Sequence, residues 1–203
     1  MTTYSVILQT IFSPPNLLTL LRILFIPLTL YFFEARSWSF AFPLLFFILL
    51  TDALDGWIAR KWNLISTFGS ILDPIADKLV VLGFFLYLTG KGLVPFYYVI
   101  LICLRDLSQL SVVPVLVLWK KISFQVKPKF IPKLGTALNF VILAYYLLCY
   151  SSTEIDFLDP YLVGFGYVIL PILILSSCIE MYILLTFWPR YRLIFLGKHD
   201  TFE

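Results

Sequence analysis

Long apolar stretches follow one another along this chain, and they limit the architectures open to it more than any motif does. Residues 18–33 contain one charged side chain, Arg22, and residues 161–187 are almost wholly apolar. Only 13% of the 203 residues are charged, 61% are hydrophobic and the mean hydropathy is +0.94. A soluble domain carries roughly 25% charged residues. The composition therefore predicts an all-α integral membrane protein, a six-transmembrane-helix bundle. The expected spans are 18–33, 38–60, 68–89, 94–119, 134–150 and 161–187. Residues 1–17 read as an interfacial amino-terminal segment, in which Ser13-Pro14-Pro15-Asn16 is a breaker followed by a helix start. They have no basic leader and no small-residue cleavage site, so no cleaved signal peptide is expected. With no repeat, low-complexity tract or composition shift, residues 1–203 read as one membrane domain.

Six spans place both termini on one side. That side collects Arg60, Lys61, Lys120, Lys121, Lys127, Lys129, Lys133, Arg190, Arg192 and Lys198, ten of the fifteen basic residues. The opposite loops hold Arg36 and Lys91. The positive-inside rule makes the first side cytoplasmic, in a cytoplasmic or inner membrane. Lys120, Lys121 and Lys127 suit anionic lipid headgroups, and no nucleic-acid partner is expected. Cys103, Cys149 and Cys178 each lie in an apolar run without metal or redox spacing and read as small buried residues. His199 stands alone in a polar tail.

Against this background one polar array stands out. Asp52, Asp55, Gly56, Ala59, Arg60, Gly69, Asp73 and Asp77 form the pattern D-x2-D-G-x2-A-R-x8-G-x3-D-x3-D. On helices, Asp52 and Asp55 share a face, and so do Asp73 and Asp77. Two such faces brought together make four carboxylates converge. One charged side chain near a membrane centre costs roughly 2.5–3.5 kcal/mol even on lenient scales. Arg60 and Lys78 offset part of the charge. Two divalent cations with oxygen ligands, Mg²⁺ or Mn²⁺, would offset the rest. Such a site favours phosphoryl transfer, with a carboxylate available to take an acceptor's proton. Gly56 and Gly69 permit close approach of a helix backbone or a ligand, and Arg60 can pair with phosphate oxygens. The structural alternative is a set of ion pairs, which four acids against one or two bases do not balance. A cation transporter is a further alternative, but it needs acids near the midplane and a path through. Here the outer halves of the spans are almost uncharged.

Every position and gap of the array resembles the signature of the CDP-alcohol phosphatidyltransferase family. Pro15-Asn16-Leu17-Leu18-Thr19-Leu20-Leu21-Arg22 is similar to that family's amino-terminal PN-x2-T-x2-R element. The resemblance implies a lipid-synthesis transferase with CDP-diacylglycerol as donor, a glycerol-type alcohol as acceptor and CMP as leaving group. It implies Asp52, Asp55 and Asp73 as core metal ligands. Asp77 would complete the metal site and act as the base. Gly56, Ala59, Arg60 and Gly69 would line the nucleotide and diphosphate pocket. Family members are often homodimers, although no stretch here marks an interface.

The acceptor is less constrained. Arg105, Lys129 and Lys133 can form a cationic pocket for a phosphate, and either glycerol 3-phosphate or the headgroup of phosphatidylglycerol fits it. Arg105-Asp106 and the stretch KPKFIPKLGTALN resemble both the enzymes that make phosphatidylglycerophosphate and those that make cardiolipin, and the flanking KPKFIPK is closer to the latter. Gly135 and Asn139 depart from that pattern, which usually has a polar residue and a glutamine there. Glycerol 3-phosphate is the leading expectation and phosphatidylglycerol the alternative. Arg22 reads equally well as a residue snorkelling to the interface, and Arg105-Asp106 as a local ion pair.

Overall fold

The computed structural model describes residues 14–61, 67–111, 125–126, 130–152, 159–196 and 201–202. Among these are six helices: α1 (Pro14–Glu34), α2 (Trp38–Lys61), α3 (Thr67–Gly90), α4 (Phe96–Leu110), α5 (Phe130–Ser152) and α6 (Asp159–Phe195). Two short strands, β1 (Gln125–Val126) and β2 (Thr201–Phe202), pair in parallel. The chain divides into two compact units, Met1–Phe84 and Phe85–Glu203.

In the first unit, α1 starts at Pro14, inside the stretch expected to be a lead-in. A proline in a first turn costs no hydrogen bond and presets φ, so the Pro14-Pro15 pair opens the helix. The turn to α2 needs one residue in the left-handed region, and Arg36 takes it with φ 52°. Aromatic edges then hold α1 on α2: Phe33 meets Trp38 and Phe42, and Phe25 meets Phe47. Phe33 also meets Phe84 of α3 edge-on, and a Cβ on Gly83 would lie 3.2 Å from Ile26 Cγ2. Apolar and aromatic contacts thus bring α1 beside α3, although the two are separated in sequence by all of α2. Pro74 stands well inside α3 and gives no N–H to the carbonyl one turn earlier.

In the second unit, Gly92 (φ +74°) closes the turn into α4. Lys91 Nζ lies 5.5 Å from the Tyr87 ring and 5.9 Å from the Tyr150 ring, a cation held by two aromatic faces. Helix α4 has 15 residues, roughly 22 Å. The remainder of the span expected to reach Trp119 lies outside the described residues. Helix α6 is continuous over 37 residues and passes Pro171 and Pro189, so it extends beyond the expected end at Phe187 and places Arg192 in its last turn. A cation there is favoured by the helix dipole.

Glycine at position 135 has a packing reason. A Cβ at Gly135 would meet Ile179 Cγ2 at 3.1 Å, Ile183 Cδ1 at 3.4 Å and Glu180 Oε1 at 3.6 Å, so its absence lets α5 lie close on α6. Gly135→Ala should be nearly neutral, because a few tenths of an ångström of displacement is offset by better helix propensity. Gly135→Val should cost about 1–3 kcal/mol by overpacking, read as a lower midpoint of thermal unfolding in detergent.

The expected count of six spans is not reached among the described residues. Asn16–Glu34, Phe130–Ser152 and Phe165–Pro189 are long and apolar enough to cross a membrane, while Trp38–Thr51 is a shorter apolar segment. Charged residues lower the apolarity of the next candidates: Asp52, Asp55, Arg60 and Lys61 in α2, and Asp73, Asp77 and Lys78 in α3. Leu170, Ile174 and Leu185 of α6 are exposed, as lipid-facing residues would be. Cys178 is exposed and Cys103 and Cys149 are half-buried, so the expectation of buried cysteines is corrected. Thiols are small and apolar enough to stand at a lipid-facing surface.

Candidate active site

Asp73 and Asp77 lie one turn apart on α3, as their spacing predicts. What faces them is α1. Thr19 Oγ1 donates to Asp73 Oδ1 at 2.7 Å, and Arg22 Nη1 donates to Asp77 Oδ1 in an ion pair. The two rungs occur in the same order on both helices, so α1 and α3 run parallel here. Asn16, Thr19 and Arg22 are spaced by three residues and are all buried, giving α1 one polar stripe among apolar neighbours. Arg22 is 1% exposed, whereas the Asp77 side chain is 49% exposed. The guanidinium therefore sits inside and the carboxylate opens outward.

This pair answers the charge problem posed by the sequence in an unexpected way. A buried arginine needs a carboxylate as much as a cluster of carboxylates needs a cation. Arg22 was expected at the interface or in the site; its burial removes it from the interface. Thr19 had been singled out only as part of the PN-x2-T-x2-R element, and neither residue had been paired with an aspartate of α3. The signal was the threefold spacing of Asn16, Thr19 and Arg22, which marks a helix face.

Gly69 is buried near the start of α3. The backbone of residues 52–60 is helical within α2. The side chains of Asp52, Asp55, Ala59 and Arg60 lie outside the described residues, as does the whole of Lys129. Among the described residues no three acids, histidines or cysteines converge on one point. The donors that are described, Asp73 and Asp77, are hard carboxylate oxygens on one face of α3. That chemistry fits Mg²⁺ or Mn²⁺.

The second unit contains a buried polar network that includes Arg105. Arg105 Nη1 donates to Glu180 Oε1 at 2.6 Å, while Nε and Nη2 donate to Asp106 Oδ1 at 3.0 and 2.9 Å. Asn139 Nδ2 also donates to Glu180 Oε1, at 2.9 Å. Asn139 Oδ1 accepts from the hydroxyls of Tyr98 and Ser176. All six side chains are buried, and they tie α4, α5 and α6 together. Sequence reasoning missed Glu180, although an acid alone in an apolar span signals a partner elsewhere. The network also gives a physical reason for the two departures noted at positions 135 and 139. Asn139 reaches Glu180 and two hydroxyls at once, and Gly135 admits the close helix contact beside Glu180. Lys133 is exposed, two residues before Gly135 and thus on the far side of α5. The structure does not bring Arg105 and Lys133 onto one face.

Residues 12–176 match the family described as CDP-alcohol phosphatidyltransferase. The chain is 47% identical over 73 residues to a protein of Escherichia coli (strain K12) named CDP-diacylglycerol--glycerol-3-phosphate 3-phosphatidyltransferase. Proteins of the same name from Shigella flexneri serotype 5b (strain 8401) and Shigella boydii serotype 4 (strain Sb227) are similar to the same degree. The similar stretch covers 34% of this chain and 40% of each of those proteins. The family match is far longer, running from just before α1 into α6 and taking in both aspartate-bearing helices; of the buried network it includes Tyr98, Arg105, Asp106, Asn139 and Ser176 but ends before Glu180. On the extent of that match, the chain belongs to the CDP-alcohol phosphatidyltransferase family.

Proposed function

We propose that this protein transfers a phosphatidyl group from CDP-diacylglycerol to glycerol 3-phosphate, releasing CMP and forming phosphatidylglycerophosphate. The observation that most supports the chemistry is the face of α3 on which Asp73 and Asp77 are oriented by Thr19 and Arg22. The similarity to proteins named for glycerol 3-phosphate favours that acceptor.

In this reading Asp52, Asp55, Asp73 and Asp77 hold two divalent ions. When bound, these ions neutralise the diphosphate and the departing CMP. Asp77, which opens outward, takes the proton of the acceptor hydroxyl. A bond forms from that oxygen to the phosphorus of the phosphatidyl group, and the bond to the CMP oxygen breaks. Gly56, Ala59, Arg60 and Gly69 line the nucleotide and diphosphate pocket. The burial and double pairing of Arg105 favour a structural role for it and leave Lys129 and Lys133 as the proposed cations for the acceptor phosphate. The site opens to the cytoplasmic side, where the basic residues concentrate, and the working protein is a homodimer.

A product assay tests the reading. Purified protein with Mg²⁺ or Mn²⁺ and CDP-diacylglycerol should make phosphatidylglycerophosphate from glycerol 3-phosphate, and excess EDTA should stop it. Activity that survives EDTA would exclude the metal proposal. Cardiolipin formed from phosphatidylglycerol instead would transfer the assignment to the acceptor that the KPKFIPK stretch also resembles.

A further inference from the structure

We infer that Arg22 is a built-in competitor for the divalent cation that shares Asp77, so that the two metal positions are unequal in affinity. The inference rests on the metal reading proposed above.

The two carboxylates of α3 are held differently. Asp73 meets a neutral hydroxyl, Thr19 Oγ1, at 2.7 Å. Asp77 meets a full positive charge, the guanidinium of Arg22. A hydroxyl orients a carboxylate oxygen without opposing a cation beside it. A guanidinium occupies an oxygen lone pair and repels a second cation. Arg22 is also buried where it stands, with α1 and α3 around it, whereas Asp77 is half open. It therefore cannot swing into water to make room. An ion arriving at Asp77 comes from the open side and has to share the carboxylate with a fixed positive charge behind it. Asp73 imposes no such cost. The position that depends on Asp73 fills first, and the one that depends on Asp77 fills later and more weakly. In the metal-free protein the same pairing gives the buried guanidinium of Arg22 its carboxylate, so the weaker position is the counterpart of a stable empty state.

Binding of Mn²⁺ alone tests this, with no lipid substrate and no turnover. Free Mn²⁺ is followed by electron paramagnetic resonance during titration of the purified full chain. The wild type should show a tighter and a weaker class of site. R22Q should tighten the weaker class by at least roughly tenfold, since a like charge at short range has been removed, and should leave the tighter class in place. In the D77N background the R22Q change should have no further effect, because the two residues act as one pair. If R22Q does not fold, R22K replaces it. Lysine lacks the planar fork that grips a carboxylate, so the weaker class should still tighten, but by less. Unchanged or weaker Mn²⁺ binding in the folded variant overturns the inference alone. No Mn²⁺ binding to the wild type or to any variant overturns it together with the metal reading.

Discussion

Asp77→Asn should abolish transfer while the helices stay packed. Asparagine keeps an oxygen that can accept from Arg22, so the rung between α1 and α3 survives in part. It loses the negative charge needed to hold a cation and the basicity needed to take a proton. General-base catalysis alone contributes about 10²–10⁴-fold, and the loss of a metal ligand adds to that. Turnover of CDP-diacylglycerol should therefore fall by at least about a hundredfold, with an unchanged elution profile and helical circular dichroism. Residual activity within a few-fold of wild type would remove Asp77 as the base. Unfolding would show instead that the Arg22–Asp77 pair is mainly structural.

The largest effect on stability is expected at Arg105. Its side chain and that of Asp106 are each 8% exposed, and the Glu180 side chain is fully buried. Arg105→Met removes the cation and leaves two acids facing each other in an apolar interior. Breaking a buried pair in this way typically costs about 3–5 kcal/mol, so R105M should lose much of its thermal stability in detergent. The triple variant R105M/D106N/E180Q removes the orphaned charges and should recover most of the loss, because a neutral network is often as stable as a buried ionic one. Should R105M unfold as the wild type does, the network is not what joins α4, α5 and α6. A stable triple variant with a raised KM for glycerol 3-phosphate alone would return Arg105 to the acceptor site.

The two variants differ in how far the sequence could foresee them. The face shared by Asp73 and Asp77 follows from helical periodicity, which depends only on residues four apart. Apolar length alone likewise located α1, α2, α3, α5 and α6 to within a few residues at most ends, and the aspartate array pointed to phosphoryl transfer. Ser13-Pro14-Pro15-Asn16 reads as a break followed by a helix start, and the helix begins within it at Pro14, because proline both ends and begins helices.

Partners distant in sequence belong to a different class of information. Thr19 and Asp73 are 54 positions apart, Arg22 and Asp77 are 55 apart, and Arg105 and Glu180 are 75 apart. The sequence shows that an arginine and an acid each stand in apolar surroundings and each need a partner. It does not show which of them meet, because that depends on which helix faces pack together. Aromatic edges at Phe33 and the small residue Gly83 bring α1 onto α3, and Gly135 brings α5 onto α6. By itself, then, the sequence determined an all-helical chain with several apolar segments, its family pattern and the acid face of α3. The tertiary structure alone decided that Arg22 supplies the counter-charge for Asp77 and that Arg105 is held in a buried network with Glu180, because long-range packing selects one pairing among the several that local periodicity permits.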